Sequence, residues 1–148
     1  MSRSARRRGF TLLELAFVIG IIGALAGAAV PGYQAVLRRS RSSEARAVLE
    51  AIANAQLAHR RDRGTFIACP AEPEKVPAGS RNLFDGSRGG WKSLGFTVEG
   101  GVRYQYEVLL VEGSYVAVAR GDLDGDGVTS EFALDGRTGK VAISEELE

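Results

Sequence analysis

The apolar run from Phe10 to Val30 constrains this chain more than any other stretch, because Thr11 and Glu14 are its only polar side chains. As a helix rising about 1.5 Å per residue it spans about 30 Å, one bilayer crossing. Arg3, Arg6, Arg7 and Arg8 precede the run, and the first cations beyond it are Arg38 and Arg39. By the positive-inside bias the N-terminal end stays in the cytoplasm and the C-terminal bulk is exported, an asymmetry that Arg38, Arg39 and Arg41 weaken.

A secretory signal also has a basic start and an apolar stretch, and Ala24-Leu25-Ala26 would serve as its cleavage site. Its apolar part is shorter, about 7 to 15 residues. Glu14 argues against it, since a carboxylate inside the run costs about 2.5 to 3.5 kcal/mol on insertion scales and calls for a partner. A plain signal or anchor has no use for that residue, which would then snorkel to the headgroups.

Arg8-Gly9-Phe10-Thr11-Leu12-Leu13-Glu14, with Pro31 further down, resembles the N-terminus of type IV pilins and of the related type II secretion pseudopilins. The likeness is specific over about Arg6 to Tyr33 and general beyond. It implies that a prepilin peptidase cuts between Gly9 and Phe10 and methylates the new amine of Phe10. It also implies that Glu14 meets the amine of a neighbouring subunit as stems pack into a filament, with Phe10, Glu14 and Pro31 as assembly residues. Independently, a buried carboxylate must be paired, and a cut at Gly9-Phe10 creates a cation four residues from Glu14. Spacing alone allows either its own amine or a neighbour's, and the resemblance favours the neighbour.

Of the chain's 148 residues 45% are hydrophobic and 25% charged, which suits one modest globular part plus a stem. Removing residues 1–9 takes away four arginines and no acid, so 19 Lys+Arg against 18 Asp+Glu becomes 15 against 18. That balance does not point to nucleic acid. Cys69 is the single cysteine, which excludes an intramolecular disulfide and departs from the bridge common in pilins; a buried or loop thiol is expected. With His59 as the only histidine, neither a multi-histidine zinc site nor a nucleophile–base dyad has its residues, and no enzyme is expected.

The helix is expected to continue past Pro31, because apolar residues recur at Tyr33, Val36, Leu37, Val48, Ala51, Ile52, Ala55 and Ala58. Pro31 would kink it without ending it, and Gly64 would stop it. Gly20, Gly23, Gly27 and Gly32 keep the stem small enough for close helix approach. From Thr65 to Gly90 prolines, glycines and serines break any period, so a long surface loop is expected, anchored by Trp91 and Phe96. Four strands follow. Val102, Tyr104, Tyr106, Val108 and Leu110 alternate with Arg103, Gln105 and Glu107; then come Tyr115 to Ala119, Phe132 with Leu134, and Val141 with Ile143.

Asp122-Leu123-Asp124-Gly125-Asp126-Gly127 resembles the start of a calcium loop. The twelfth position is Ala133 where an EF-hand needs glutamate, so an EF-hand is rejected. A simpler calcium site on Asp122, Asp124, Asp126 and Glu131 stands beside a plain Asp-Gly turn.

The expected fold is therefore α+β: a long N-terminal helix, membrane-spanning in its first half, packed on a small antiparallel sheet. Its parts are a cleaved leader (1–9), a transmembrane and assembly helix (10–30), its amphipathic continuation (31–62) and a globular head (63–148). The expected function is a structural subunit of a type IV pilus-like filament, in the inner membrane before assembly and in a surface or periplasmic filament after it. Expected partners are further copies of the chain, prepilin peptidase, inner-membrane assembly machinery and membrane lipid. No cofactor is required, with calcium as the candidate. The alternatives are a minor pilin or pseudopilin and a monomeric membrane-anchored binding domain.

Overall fold

The computed structural model describes residues 10–145, and the side chains of all of these except 30–32, 34–39, 41 and 144–145. The chain divides into two compact units, Met1–Leu37 and Arg38–Glu148. One helix, α1 (Leu12–Arg63), belongs to both and carries on through position 31.

In the first unit α1 turns apolar side chains outward all round. Leu12, Leu13, Phe17, Ile19, Ile22 and Leu25 are each more than half exposed. The segment Leu12–Ala29 has a mean hydropathy of 2.2 and is, among the described residues, the one helix long and apolar enough to cross a membrane. Such a helix has no polar face to give to water. A Cβ placed on Gly20, Gly23 or Gly27 would meet nothing within 4 Å. No contact inside the described chain needs glycine there, although each costs the helix about 1 kcal/mol relative to alanine.

In the second unit α1 buries a stripe of Ala45, Leu49, Ile52 and Gln56, spaced as one helix face requires. The sequence expectation placed Ala51 and Ala58 on the apolar face; both are exposed, because the stripe lies on the rows that include Leu49 and Gln56. Gly64, at φ 83°, donates its N–H to the Arg60 carbonyl at 2.8 Å and ends the helix in the left-handed region that glycine takes most easily.

The stripe shares one hydrophobic cluster with a five-stranded sheet. The strands are β1 (Cys69–Glu72), β2 (Gln105–Val111), β3 (Ser114–Gly121), β4 (Ser130–Asp135) and β5 (Val141–Glu145), paired antiparallel in chain order. Tyr104, Tyr106 and Val108 are buried as their alternation requires, with Tyr115, Ala117, Ala119, Phe132 and Leu134 from β3 and β4. Leu110 departs from the expectation at 52% exposed. It lies past the Cys69–Val108 pair that is the last β1 gives to β2.

The stretch expected as loop, Thr65 to Gly90, contains β1 and leads into a short helix, α2 (Gly89–Leu94). β1 escapes pattern reading because Cys-Pro-Ala-Glu has no alternation and its register with β2 slips between Cys69 and Glu72. An edge position tolerates its proline. Trp91 on α2 is fully buried and donates its indole N–H to the Pro70 carbonyl at 2.7 Å, while Phe84 meets the Trp91 ring edge-on at 5.1 Å. Gly90 has to be glycine, since a Cβ there would sit 2.0 Å from the Ala68 oxygen.

Candidate functional site

The first polar constellation is the start of α1. Thr11 donates its N–H to Glu14 Oε2 at 3.2 Å and its hydroxyl to the same oxygen at 3.1 Å, and the Glu14 N–H donates to Thr11 Oγ1 at 3.2 Å. This reciprocal arrangement is a capping box: it satisfies N–H groups that the first helical turn leaves without partners, a cap worth about 1 kcal/mol. Glu14 also sits in the first turn, where the helix dipole favours a negative charge. Both hydrogen bonds to the carboxylate, one from the backbone and one from the hydroxyl of Thr11, use Oε2; Oε1 accepts none among the described residues.

Thr11-Leu12-Leu13-Glu14 fits the Thr-x-x-Glu signature, so the cap was there to be read from the sequence. Phe10, one residue before Thr11, is 76% exposed. Gly9 lies outside the described residues, as do the side chains of Pro31, Arg38, Arg39 and Arg41.

The second constellation is the turn between β3 and β4. Oxygens of Asp122, Asp124 and Asp126 all lie within 4.8 Å of one another. Asp122 is buried and accepts the N–H of Gly125 at 2.6 Å on Oδ1 and that of Gly127 at 3.0 Å on Oδ2. Asp126 accepts the Val128 N–H at 2.7 Å. Gly125 and Gly127 take φ of 83° and 89°, which lets the chain fold back on these carboxylates. None of the three makes an ion pair among the described residues, and an all-oxygen donor set suits a hard cation. Glu131, the expected fourth donor, is instead engaged by Arg120, whose Nε donates to its Oε2 at 2.7 Å. The other arm of that guanidinium holds Glu107 at 2.9 Å. Sequence reasoning missed what lies against the turn: Asp122 donates its N–H to the Pro77 carbonyl at 3.1 Å and accepts the Gly79 N–H at 2.8 Å.

The remaining candidates are structural. The Cys69 thiol is buried, and burial pushes its pKa up to about 12, so at neutral pH it is a protonated thiol and a poor nucleophile. His59 Nδ1 lies 2.9 Å from the Thr65 carbonyl, which can only accept, so that nitrogen carries a proton. Glu44 fastens the head to α1: it accepts the Arg103 N–H at 2.9 Å and pairs with Arg103 and Arg81 at 3.3 and 3.1 Å.

Residues 4–30 match the prokaryotic N-terminal methylation motif. Over 108 residues the chain is 32% identical to the type IV major pilin protein PilA of Myxococcus xanthus, covering 73% of this chain and 40% of that protein. It is 38% identical over 73 residues to the type IV major pilin protein PilE1 of Neisseria gonorrhoeae, covering 49% and 31%. With the type IV major fimbrial protein FimA of Dichelobacter nodosus the figures are 30% over 77 residues, covering 52% and 48%. The chain thus spans less than half the length of each of these relatives. No solved structure matches it.

Proposed function

We propose that this chain, a member of the type IV pilin family, is a polymerising structural subunit of a pilus-like filament. On this reading prepilin peptidase cuts between Gly9 and Phe10 and methylates the Phe10 amine. The stem then waits in the inner membrane until assembly machinery moves it into a surface or periplasmic filament.

The observation that carries the reading is the segment Leu12–Ala29 of α1, whose apolar side chains point in every direction and find no cover among the described residues. Exposed apolar surface is unfavourable in water by about 25 cal/mol per Å². Lipid before assembly and neighbouring stems after it are the two environments that remove that surface from water. Gly20, Gly23 and Gly27, unused by packing within the chain, suit close approach of another helix. Glu14 is the exception that the reading explains, since a carboxylate in an apolar surround needs a cation and a neighbour's Phe10 amine supplies one.

The test has two parts. N-terminal sequencing of membrane material should begin at Phe10, and imaging of cells with and without the protein should show filaments only with it. A start at Met1 or after Ala26 would overturn the processing step. Monomers alone in a native membrane preparation would leave the anchored binding domain as the function.

A second reading concerns the turn at Asp122, Asp124 and Asp126. Three carboxylates converge there with no ion pair to any of them among the described residues, and a calcium ion would relieve their repulsion. Its role would be structural, fixing the turn and the segment at Pro77–Gly79 bonded to it.

A further inference from the structure

We infer that the groove at the end of α1, walled by His59, Arg63, Thr65, Ile67 and Ser93, receives the acidic segment Glu145-Glu146-Leu147-Glu148 of a second copy of the chain. This rests on the filament reading above and adds to it a contact made between heads, apart from the stem.

The groove is basic and its cations are unengaged. The last turn of α1 carries Arg60, Arg61 and Arg63 against the single acid Asp62. None of these four makes an ion pair among the described residues, whereas Arg81, Arg88, Arg103 and Arg120 all do. The helix dipole favours cations at this end, but it does not account for Arg63 standing in a groove beside other hydrogen-bonding side chains. His59 uses Nδ1 on the Thr65 carbonyl at 2.9 Å, which leaves Nε2 as the ring nitrogen for a ligand. A carboxylate entering here meets the guanidinium fork of Arg63, which can hold it by two parallel hydrogen bonds. The hydroxyls of Thr65 and Ser93 are further donors on the same walls.

The strand register says which copy can fill it. β5 ends at Glu145, which pairs with Glu131; Glu131 pairs with Arg120, and Arg120 with Gln105. The groove belongs to the other end of the sheet, since Phe66, between Thr65 and Ile67, meets the Tyr115 ring at 4.8 Å and Tyr115 pairs with Leu110. From Gln105 to Leu110 the strand runs about 17 Å, before any of the sheet's width between β5 and β1 is added. Glu146 to Glu148, fully extended, reach about 10 Å beyond Glu145. A head therefore does not reach its own groove with this segment, and a second copy does. Three carboxylates in four residues suit three cations in four. Groove and segment are different surfaces, so the contact passes from copy to copy without closing, as a filament requires.

The experiment is disulfide trapping of the full chain in its producing cells, with filaments imaged in parallel. Ser93→Cys on the groove and Leu147→Cys in the acidic segment, which keeps every carboxylate there, are combined in one chain and oxidised with copper phenanthroline. Cys69, buried and protonated, stays out of the reaction. The double variant should give a ladder of cross-linked multimers, the two single variants expressed together a dimer, and each single variant alone a monomer. Thr65→Cys in place of Ser93→Cys repeats the test from another wall residue. Adding Arg63→Glu should lower the cross-linked fraction about fivefold, and Glu146→Arg with Glu148→Arg beside it should restore the yield. Raised salt should lower the yield as well, because exposed charges are screened. An unchanged yield with Arg63→Glu overturns the part given to that cation, and a disulfide closed within one monomer overturns the second copy as donor. Filaments without a ladder from either groove cysteine give the groove to another anion and overturn this docking alone. Wild-type cells without filaments overturn the polymer reading, and this inference with it.

Discussion

Gln56 and Ile67 exchange two hydrogen bonds: the Gln56 amide donates to the Ile67 carbonyl at 2.7 Å, and the Ile67 N–H donates to Gln56 Oε1 at 3.1 Å. A fully buried glutamine on the helix thus imitates a strand, satisfying the backbone of the segment that leads from α1 into β1.

Gln56→Leu would keep the volume and leave both groups of Ile67 unpaired. Buried polar groups without partners are unfavourable by about 1 to 3 kcal/mol each, so the substitution should lower the melting midpoint of the full chain in detergent by about 10 °C or more. A midpoint within a degree or two of wild type would show that water replaces the pair.

Glu14→Val should leave membrane insertion intact or improved, because the stem loses its carboxylate, while filament assembly is lost or slowed. Fractionation and electron microscopy of the same cells read the two effects separately. Normal filaments would contradict pairing with the Phe10 amine.

Calcium at millimolar concentration should raise the melting midpoint through Asp122, Asp124 and Asp126. A site with so few ligands belongs with weak extracellular modules, with Kd of about 10⁻⁴ to 10⁻³ M. At ten times Kd, linkage adds about 1.4 kcal/mol. Unfolding in calcium and in chelator, on the wild type and on Asp124→Asn combined with Asp126→Asn, measures it; equal midpoints in the wild type would make the loop a plain turn.

Alkali should unfold the head cooperatively. Burial raises the pKa of Tyr106, with the Glu44 charge adding to it, and burial raises that of Tyr115 and of Cys69. Groups whose pKa is raised by folding contribute stability that is whole below their ordinary values and lost as pH climbs past them. Here the window opens near 9.0 for the thiol and 10.0 for the phenols. Stability should be flat from neutrality to about pH 9 and then fall, with the buried tyrosinate absorbance rising in step with loss of circular dichroism. Full ionisation of all 4 tyrosines before any unfolding would contradict the burial argument.

β2 was legible because Tyr104-Gln105-Tyr106-Glu107-Val108 alternates apolar and polar residues as a strand does, although Gln105 is buried too, its amide donating to the Pro73 and Glu74 carbonyls. β1 was not, since its place depends on partners distant in the chain: Val108 beside Cys69, Ala68 under Gly90, and Trp91 reaching the Pro70 carbonyl. Gln56 was overlooked because a polar residue reads as surface until the unpaired backbone that it serves is known. The acidic turn was visible as composition. Its tie to Pro77 and the capture of Glu131 by Arg120 needed the strand register that sets Arg120 opposite Glu131.

The buried, protonated thiol of Cys69 also gives the chain a practical asset: a maleimide dye finds no ready target while the head is folded. A cysteine introduced at an outlying position of the head, such as Leu83→Cys where the native side chain is 85% exposed, would react alone and spare the native thiol from mutation. Subunits could then be tracked one dye at a time, and any labelling at Cys69 would itself report that a head had come open.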